Sequence, residues 1–138
     1  MDDRELYERA VKAREFSYSP YSRYRVGAAL LAKDGRVFTG CNIENAAYGP
    51  SNCAERTAFF KAVSEGVTEF EAIAVAGGRE GAEFLDFCPP CGVCRQVMEE
   101  FCERDSFRVI MGNSAGKLRA LTLSELLPYS FGAENTER

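Results

Sequence analysis

Three of the six cysteines, Cys53, Cys91 and Cys94, are placed so that their sulfurs can converge on one metal ion. Cys91-Gly92-Val93-Cys94 is a Cys-x-x-Cys step at a helix start, a spacing that lets both thiolates face the same ion. Cys53 precedes a second stretch of helical period and can supply the third sulfur. The chain has no histidine, so a closed four-ligand site would need a remote cysteine or a carboxylate. Three protein ligands with water in the fourth position is the catalytic zinc arrangement, in which the cation lowers the pKa of water to about 7. Glu55 follows Cys53 by two positions, where the first helical turn can aim its carboxylate at that water as a general acid and base. Its other reading, an acidic residue favoured at a helix N-terminus, explains the charge but not the spacing. A Cys-x-x-Cys alone is also compatible with a redox pair or half of a structural zinc site; the added Cys53-Ala54-Glu55 favours catalysis. Cys41, Cys88 and Cys102 read as small apolar side chains, and Cys88 stands nearest the metal pair.

Three segments, Asn42-Ile43-Glu44-Asn45-Ala46-Ala47-Tyr48, Cys53-Ala54-Glu55-Arg56-Thr57-Ala58 and Pro90-Cys91-Gly92-Val93-Cys94-Arg95-Gln96, together resemble the small, homotetrameric type of cytidine deaminase. The resemblance runs over nearly the whole chain, to about Gly132. It implies one Zn2+ on Cys53, Cys91 and Cys94 and hydrolytic deamination of cytidine and deoxycytidine to uridine and deoxyuridine, a reaction of pyrimidine salvage. Glu55 would take a proton from water on the zinc, hand it to ring nitrogen 3 as carbon 4 is attacked, and help protonate the departing ammonia. Asn42 and Glu44 correspond to the family's ribose-binding pair, and backbone groups of Ala54 and of Pro89 or Pro90 would read the base. Tyr24 falls where the family usually has a phenylalanine that stacks on the base; a phenol can also stack, and the other reading is a half-buried aromatic at a strand edge. Arg56 would donate to a thiolate sulfur, and Arg95 either does the same or forms a surface salt bridge. Phe131, in residues 126–132, corresponds to a phenylalanine that reaches the nucleoside of the adjacent protomer, which implies a homotetramer with shared active sites. The competing reading packs Phe131 against its own core.

Two rivals remain beside this reading. A zinc deaminase acting on an aminoacyl-nucleoside antibiotic would keep Glu55 and all three cysteines, and Asn42-Ile43-Glu44-Asn45 argues against it. A structural zinc or redox-sensing module would bind metal without turnover. Composition narrows the field further. At 138 residues and 46% apolar content, the chain suits one domain over 1–138 with a hydrophobic core. A net charge of −4 and the absence of a basic run favour a small substrate over nucleic acid. The charged Met1-Asp2-Asp3-Arg4-Glu5 start does not read as a signal peptide, and no stretch is apolar enough to span a membrane, which together point to the cytoplasm and to reduced thiols.

The elements that must position these residues follow from periodicity. Leu6, Ala10, Ala13 and Ser17 recur at helical spacing and predict a helix over 3–16 that stops before Ser19-Pro20. Strands are expected over 25–32 and 37–41, joined as a hairpin by the Asp34-Gly35 turn. Residues 42–52 read as a polar loop with Asn52 capping a helix over 53–65 that Gly66 ends. A strand over 70–76, a loop over 77–87 and the second metal-bearing helix over 91–103 follow. Strands over 107–111 and 118–121 precede a capping box, Thr122-Leu123-Ser124-Glu125, and a short helix ended by Pro128. The tail beyond Glu134 is expected to fray. This order implies an α/β fold with a mixed sheet of about five strands between helices, and the resemblance implies the three-layer α-β-α deaminase fold with the two metal helices side by side.

Overall fold

The computed structural model describes residues 1–136. In chain order the elements are α1 (Asp3–Ala13), β1 (Tyr24–Ala32), β2 (Val37–Cys41), α2 (Ala54–Ser64), β3 (Phe70–Arg79), α3 (Gly92–Phe101), β4 (Arg108–Gly112), β5 (Leu118–Thr122) and α4 (Leu123–Leu126). Short 3-10 turns at Arg14–Phe16 and Ala133–Thr136 extend α1 and close the described chain.

The five strands form one sheet in the order β2-β1-β3-β4-β5. Neighbours run antiparallel except β3 and β4, which are parallel. A parallel pair needs a crossover, and the segment carrying α3 provides it. Residues alternate across the sheet. Ala29, Leu31, Ala72, Ala74, Ala76 and Ile110 pack against Leu6, Tyr7 and Ala10 of α1. Ala28, Leu30, Ile73, Val75 and Val109 pack on the opposite side against Ala54, Ala58 and Phe59 of α2 and Cys94 and Met98 of α3. Both faces are therefore covered, which is why β1 and β3 are apolar at successive positions instead of alternating. Phe59 lies at the centre of the second layer, with the Phe70, Phe101 and Phe107 rings at 5.1, 6.3 and 6.3 Å. This is the three-layer α-β-α arrangement, with the two cysteine-bearing helices on the same face.

Apart from shifts of one or two residues at element ends, three features differ from the expectations. β3 continues through Gly77, Gly78 and Arg79, which pair with Val26, Arg25 and Tyr24 of β1; long-range ladder bonds override the weak strand propensity of glycine. The glycines also make room. A Cβ at Gly77 would lie 2.6 Å from Cys88 Sγ, and one at Gly78 would lie 2.6 Å from Leu85 Cδ2, so the following loop folds back over this bare stretch. Asn52 does not cap α2: it pairs with Ile43, its side chain donates to Thr57 Oγ1 at 3.2 Å, and Cys53 occupies the cap position. The tail forms a turn through Thr136, with Asn135 Oδ1 accepting from the Gly132 N–H at 2.9 Å; the last two residues of the expected frayed tail lie outside the described residues. The capping box at Thr122 and Glu125 is present as expected.

Helix α2 approaches β2 closely enough that Gly40 has no substitute. A Cβ there would lie 2.5 Å from the Ala54 carbonyl oxygen and 2.6 Å from the Ala58 nitrogen, both backbone atoms that cannot rotate away. Gly40→Ala is accordingly expected to lower the free energy of urea unfolding by about 1–3 kcal/mol, the range for overpacking a tight contact, and an unchanged denaturation midpoint would count against this packing.

Candidate active site

The N-terminal ends of α2 and α3 meet at the cysteines. Cys53 and Cys91 are the residues at the two helix caps, and neither cap is closed by a side-chain hydrogen bond. Cys94 lies one turn into α3 and is buried. Cys53 Sγ and Cys91 Sγ are 3.7 Å apart, Cys91 Sγ and Cys94 Sγ 3.5 Å, and all three sulfurs lie within 4.8 Å of one another. Tetrahedral zinc with Zn–S bonds of about 2.3 Å requires sulfurs about 3.8 Å apart. The donor set and spacing thus fit a zinc ion, and among the described residues this is the cluster compatible with a metal.

The electrostatics favour the thiolate at Cys53. Cys53 is held well below the ordinary thiol range, first by a hydrogen bond from Cys94 and then by Arg56, whose Nη2 donates to Cys53 Sγ at 3.3 Å. Cys94, the donor in that pair, is correspondingly pushed up. The positive ends of the helices act in the same direction.

Glu55 is only 4% exposed, in the first turn of α2. Burial pushes its carboxyl up to about 7, opposed by a backbone hydrogen bond within its own residue. A carboxyl so placed exchanges protons easily around neutrality. It faces a cavity of about 370 Å³ whose walls also include Asn42, Glu44, Ala54, Cys53 and Cys91. That volume falls in the ~300–1,000 Å³ range of small-molecule sites. A cleft of about 460 Å³ elsewhere is larger, but its walls of Glu69, Glu99, Glu100 and Glu103 carry no comparable donor cluster.

The structure brings together most of the residues singled out above. Asn42 is pinned by the chain itself: Oδ1 accepts from the Val26 N–H at 2.9 Å and from the Ser17 hydroxyl, while Nδ2 donates to the Tyr24 carbonyl at 2.8 Å. These opposed partners fix the orientation of the amide and leave one Nδ2 hydrogen for a ligand. Glu44 accepts two backbone N–H groups, of Tyr21 and Ser22, on Oε1 and the Ser22 hydroxyl on Oε2, which leaves about one acceptor site on Oε2. Tyr24 is outside the cavity lining; its ring lies beside Gly77, on the same bare stretch of β3 that Cys88 packs against.

Cys88, expected only as a small apolar residue, forms part of the cavity wall together with Pro89, Val26 and Tyr48. Its proximity to the metal pair was the only sequence signal. Among the described residues Arg95 bonds neither a thiolate nor a carboxylate. Its Nε donates to the Pro90 carbonyl at 2.9 Å and its Nη1 to the Leu126 carbonyl at 2.8 Å, tying the loop before α3 to the end of α4. Phe131 is 59% exposed and does not pack into its own core; its carbonyl accepts from Gln96 Nε2 at 2.7 Å.

Comparison with known proteins places this geometry. The family model described as the cytidine and deoxycytidylate deaminase zinc-binding region matches residues 1–111. A cytidine deaminase of Halalkalibacterium halodurans is 54% identical over 135 residues, covering 98% of each chain. A blasticidin-S deaminase of Bacillus cereus is 32% identical over 133 residues, covering 94% of this chain and 91% of the relative. The crystal structure of a cytidine deaminase from Burkholderia pseudomallei superposes with a TM-score of 0.85 at 47% identity, covering 95% of this chain and all of that one. With its three sulfurs and buried carboxyl arranged in that fold, the chain belongs to the zinc-binding cytidine and deoxycytidylate deaminase family.

Proposed function

We propose that the chain is a single catalytic domain that deaminates cytidine and deoxycytidine hydrolytically, releasing ammonia, in cytoplasmic pyrimidine salvage. The observation that carries this reading is the placement of Glu55, a buried carboxyl in the cavity wall next to a three-sulfur cluster with the spacing of a zinc site. Cys53, Cys91 and Cys94 hold the zinc, which when bound brings water toward ionisation near pH 7. Glu55 accepts the proton of the attacking water and carries it to ring nitrogen 3. It then takes the proton of the new carbon-4 hydroxyl and gives it to the exocyclic nitrogen as the bond from carbon 4 breaks and the carbon-4 carbonyl forms, so that one water is consumed and one ammonia leaves. Arg56 orients Cys53 through its 3.3 Å hydrogen bond. Asn42 offers its remaining N–H to a sugar oxygen, Glu44 accepts from a sugar hydroxyl, the Ala54 backbone meets the base, and Tyr24 supports the base-side wall through Cys88.

The aminoacyl-nucleoside reading has a relative in its favour, the blasticidin-S deaminase, at 32% identity against 54% for the cytidine deaminase. Both readings share the zinc chemistry, and turnover of cytidine separates them. The acidic balance, with a net charge of −4, disfavours a nucleic-acid substrate. Among the described residues no helix is long and apolar enough to cross a membrane.

Exposure of Phe131 on its own chain supports a further part of the proposal: a homotetramer in which this ring completes a neighbouring site.

Three outcomes test these assignments. Cys91→Ala should lose stoichiometric zinc by metal analysis together with cytidine turnover followed by ultraviolet absorbance; retention of both would remove Cys91 from the ligand set. Glu55→Gln should keep zinc and substrate binding while turnover falls by at least about 100-fold, because an amide cannot shuttle the proton. Near-normal rates would overturn the mechanism. Mixing Glu55→Gln and Phe131→Ala chains under verified subunit exchange should give activity above the mean of the parents, since some hybrid sites join an intact Glu55 to an intact Phe131. No recovery would confine Phe131 to its own subunit.

A further inference from the structure

We propose that Ser22 is the positioning residue for sugar recognition, fixing the Glu44 carboxylate through its hydroxyl and through the turn that carries it. The inference rests on the sugar-binding role given to Glu44 above. Glu44 lines the site cavity and Ser22 does not, so Ser22 acts through Glu44. Glu44 Oε1 accepts from the backbone N–H groups of Tyr21 at 3.0 Å and Ser22 at 3.1 Å, and Oε2 accepts from Ser22 Oγ at 2.5 Å. Successive backbone N–H groups at a turn make an anion-binding concavity, and here its occupant is a carboxylate of the same chain.

The turn is built for this purpose at some strain. Arg23 has a φ of 60° although it is not glycine, a conformation that persists only where its surroundings enforce it. They do: the Arg23 N–H donates to the Ser19 carbonyl at 3.0 Å, and its own carbonyl accepts from the Glu80 N–H at 2.7 Å. Ser22 Oγ also accepts from the Tyr24 N–H at 3.0 Å. Because that N–H can only donate, the hydroxyl hydrogen is directed to Glu44. Three donors on one carboxylate stabilise its ionised form, and Glu44 is held below the usual carboxylate range, first by the Ser22 hydroxyl. The two backbone donors survive any side-chain change, so the hydroxyl is the separable part of the device.

Ser22→Ala and Ser22→Thr, assayed in the zinc-loaded full chain with cytidine and 2′,3′-dideoxycytidine, test the proposal alongside carbon-13 NMR titration of the Glu44 carboxyl. Ser22→Ala should raise KM for cytidine about tenfold, the scale of one hydrogen bond to a charged group, with kcat changed less than about twofold. KM for the dideoxy nucleoside should stay put, Glu44 should titrate higher, Ser22→Thr should restore both, and Ser22→Ala should add nothing in a Glu44→Ala background. An unchanged KM, an equal loss on both nucleosides, a fall in kcat alone or an unshifted Glu44 titration would overturn it. Failure of the zinc-loaded wild type to turn over cytidine is the distinct outcome that overturns the deaminase reading. In that event the NMR comparison still decides whether Ser22 holds the carboxylate.

Discussion

Like charges have to be crowded together for this site to exist. Three sulfurs within 4.8 Å of one another repel once ionised, and they come from two helices separated in sequence by a full strand. What offsets the repulsion is built into the local structure: the positive ends of α2 and α3, the Arg56 guanidinium on Cys53, and the divalent cation for which the spacing is suited. The helices have to be held rigidly for this balance to work. Their anchorage is the packed layer around Phe59 and Met98 and the contact of α2 with the bare backbone of Gly40. Small residues at that contact therefore help to hold the metal cluster together, because an outward shift of α2 would carry Cys53 with it.

Burial of Glu55 belongs to the same design. A carboxylate removed from water is costly, so the group is held near the point where it gains or loses a proton. It remains buried because Ala54 and Ala58 on the same helix sit against the sheet and leave the carboxyl at the rim of the cavity. The opposite rim depends on β3. Its extension through Gly77 and Gly78 lets the loop after it fold back and place Cys88 and Pro89 in the wall.

The end of the cavity proposed to take the sugar is organised by a different principle, hydrogen bonding between two irregular segments. Tyr18 and Ile43 pair backbone to backbone, with the Tyr18 N–H donating to the Asn42 carbonyl at 3.0 Å and the Glu44 N–H to the Tyr18 carbonyl at 2.8 Å. Ser17 and Val26 then fix the Asn42 amide, while Tyr21 and Ser22 fix Glu44. Loops held in this way offer polar groups with little freedom left to lose on binding, which is what selective recognition of a polyhydroxylated ligand requires.

Local spacing made the Cys91 and Cys94 pair, the step from Cys53 to Glu55, the hairpin and the capping box legible in the sequence, because each is set by residues within one turn or one strand of each other; Cys53 and Cys91, 38 positions apart, are joined by the fold. The family resemblance added Asn42, Glu44 and Arg56, which periodicity alone leaves as loop and helix residues. Tertiary structure decided the rest. Asn52 lost the cap to Cys53 because it pairs with Ile43, and Arg95 found the Pro90 and Leu126 carbonyls, partners at 5 and 31 positions' remove. Gly77 to Arg79 became strand because β1 stood ready to bond them, and Cys88 became cavity wall because those glycines left it room. A side chain's nearest sequence neighbours constrain its backbone, but its partners are whichever groups the fold brings within hydrogen-bond or van der Waals reach, and only the assembled layers determine those.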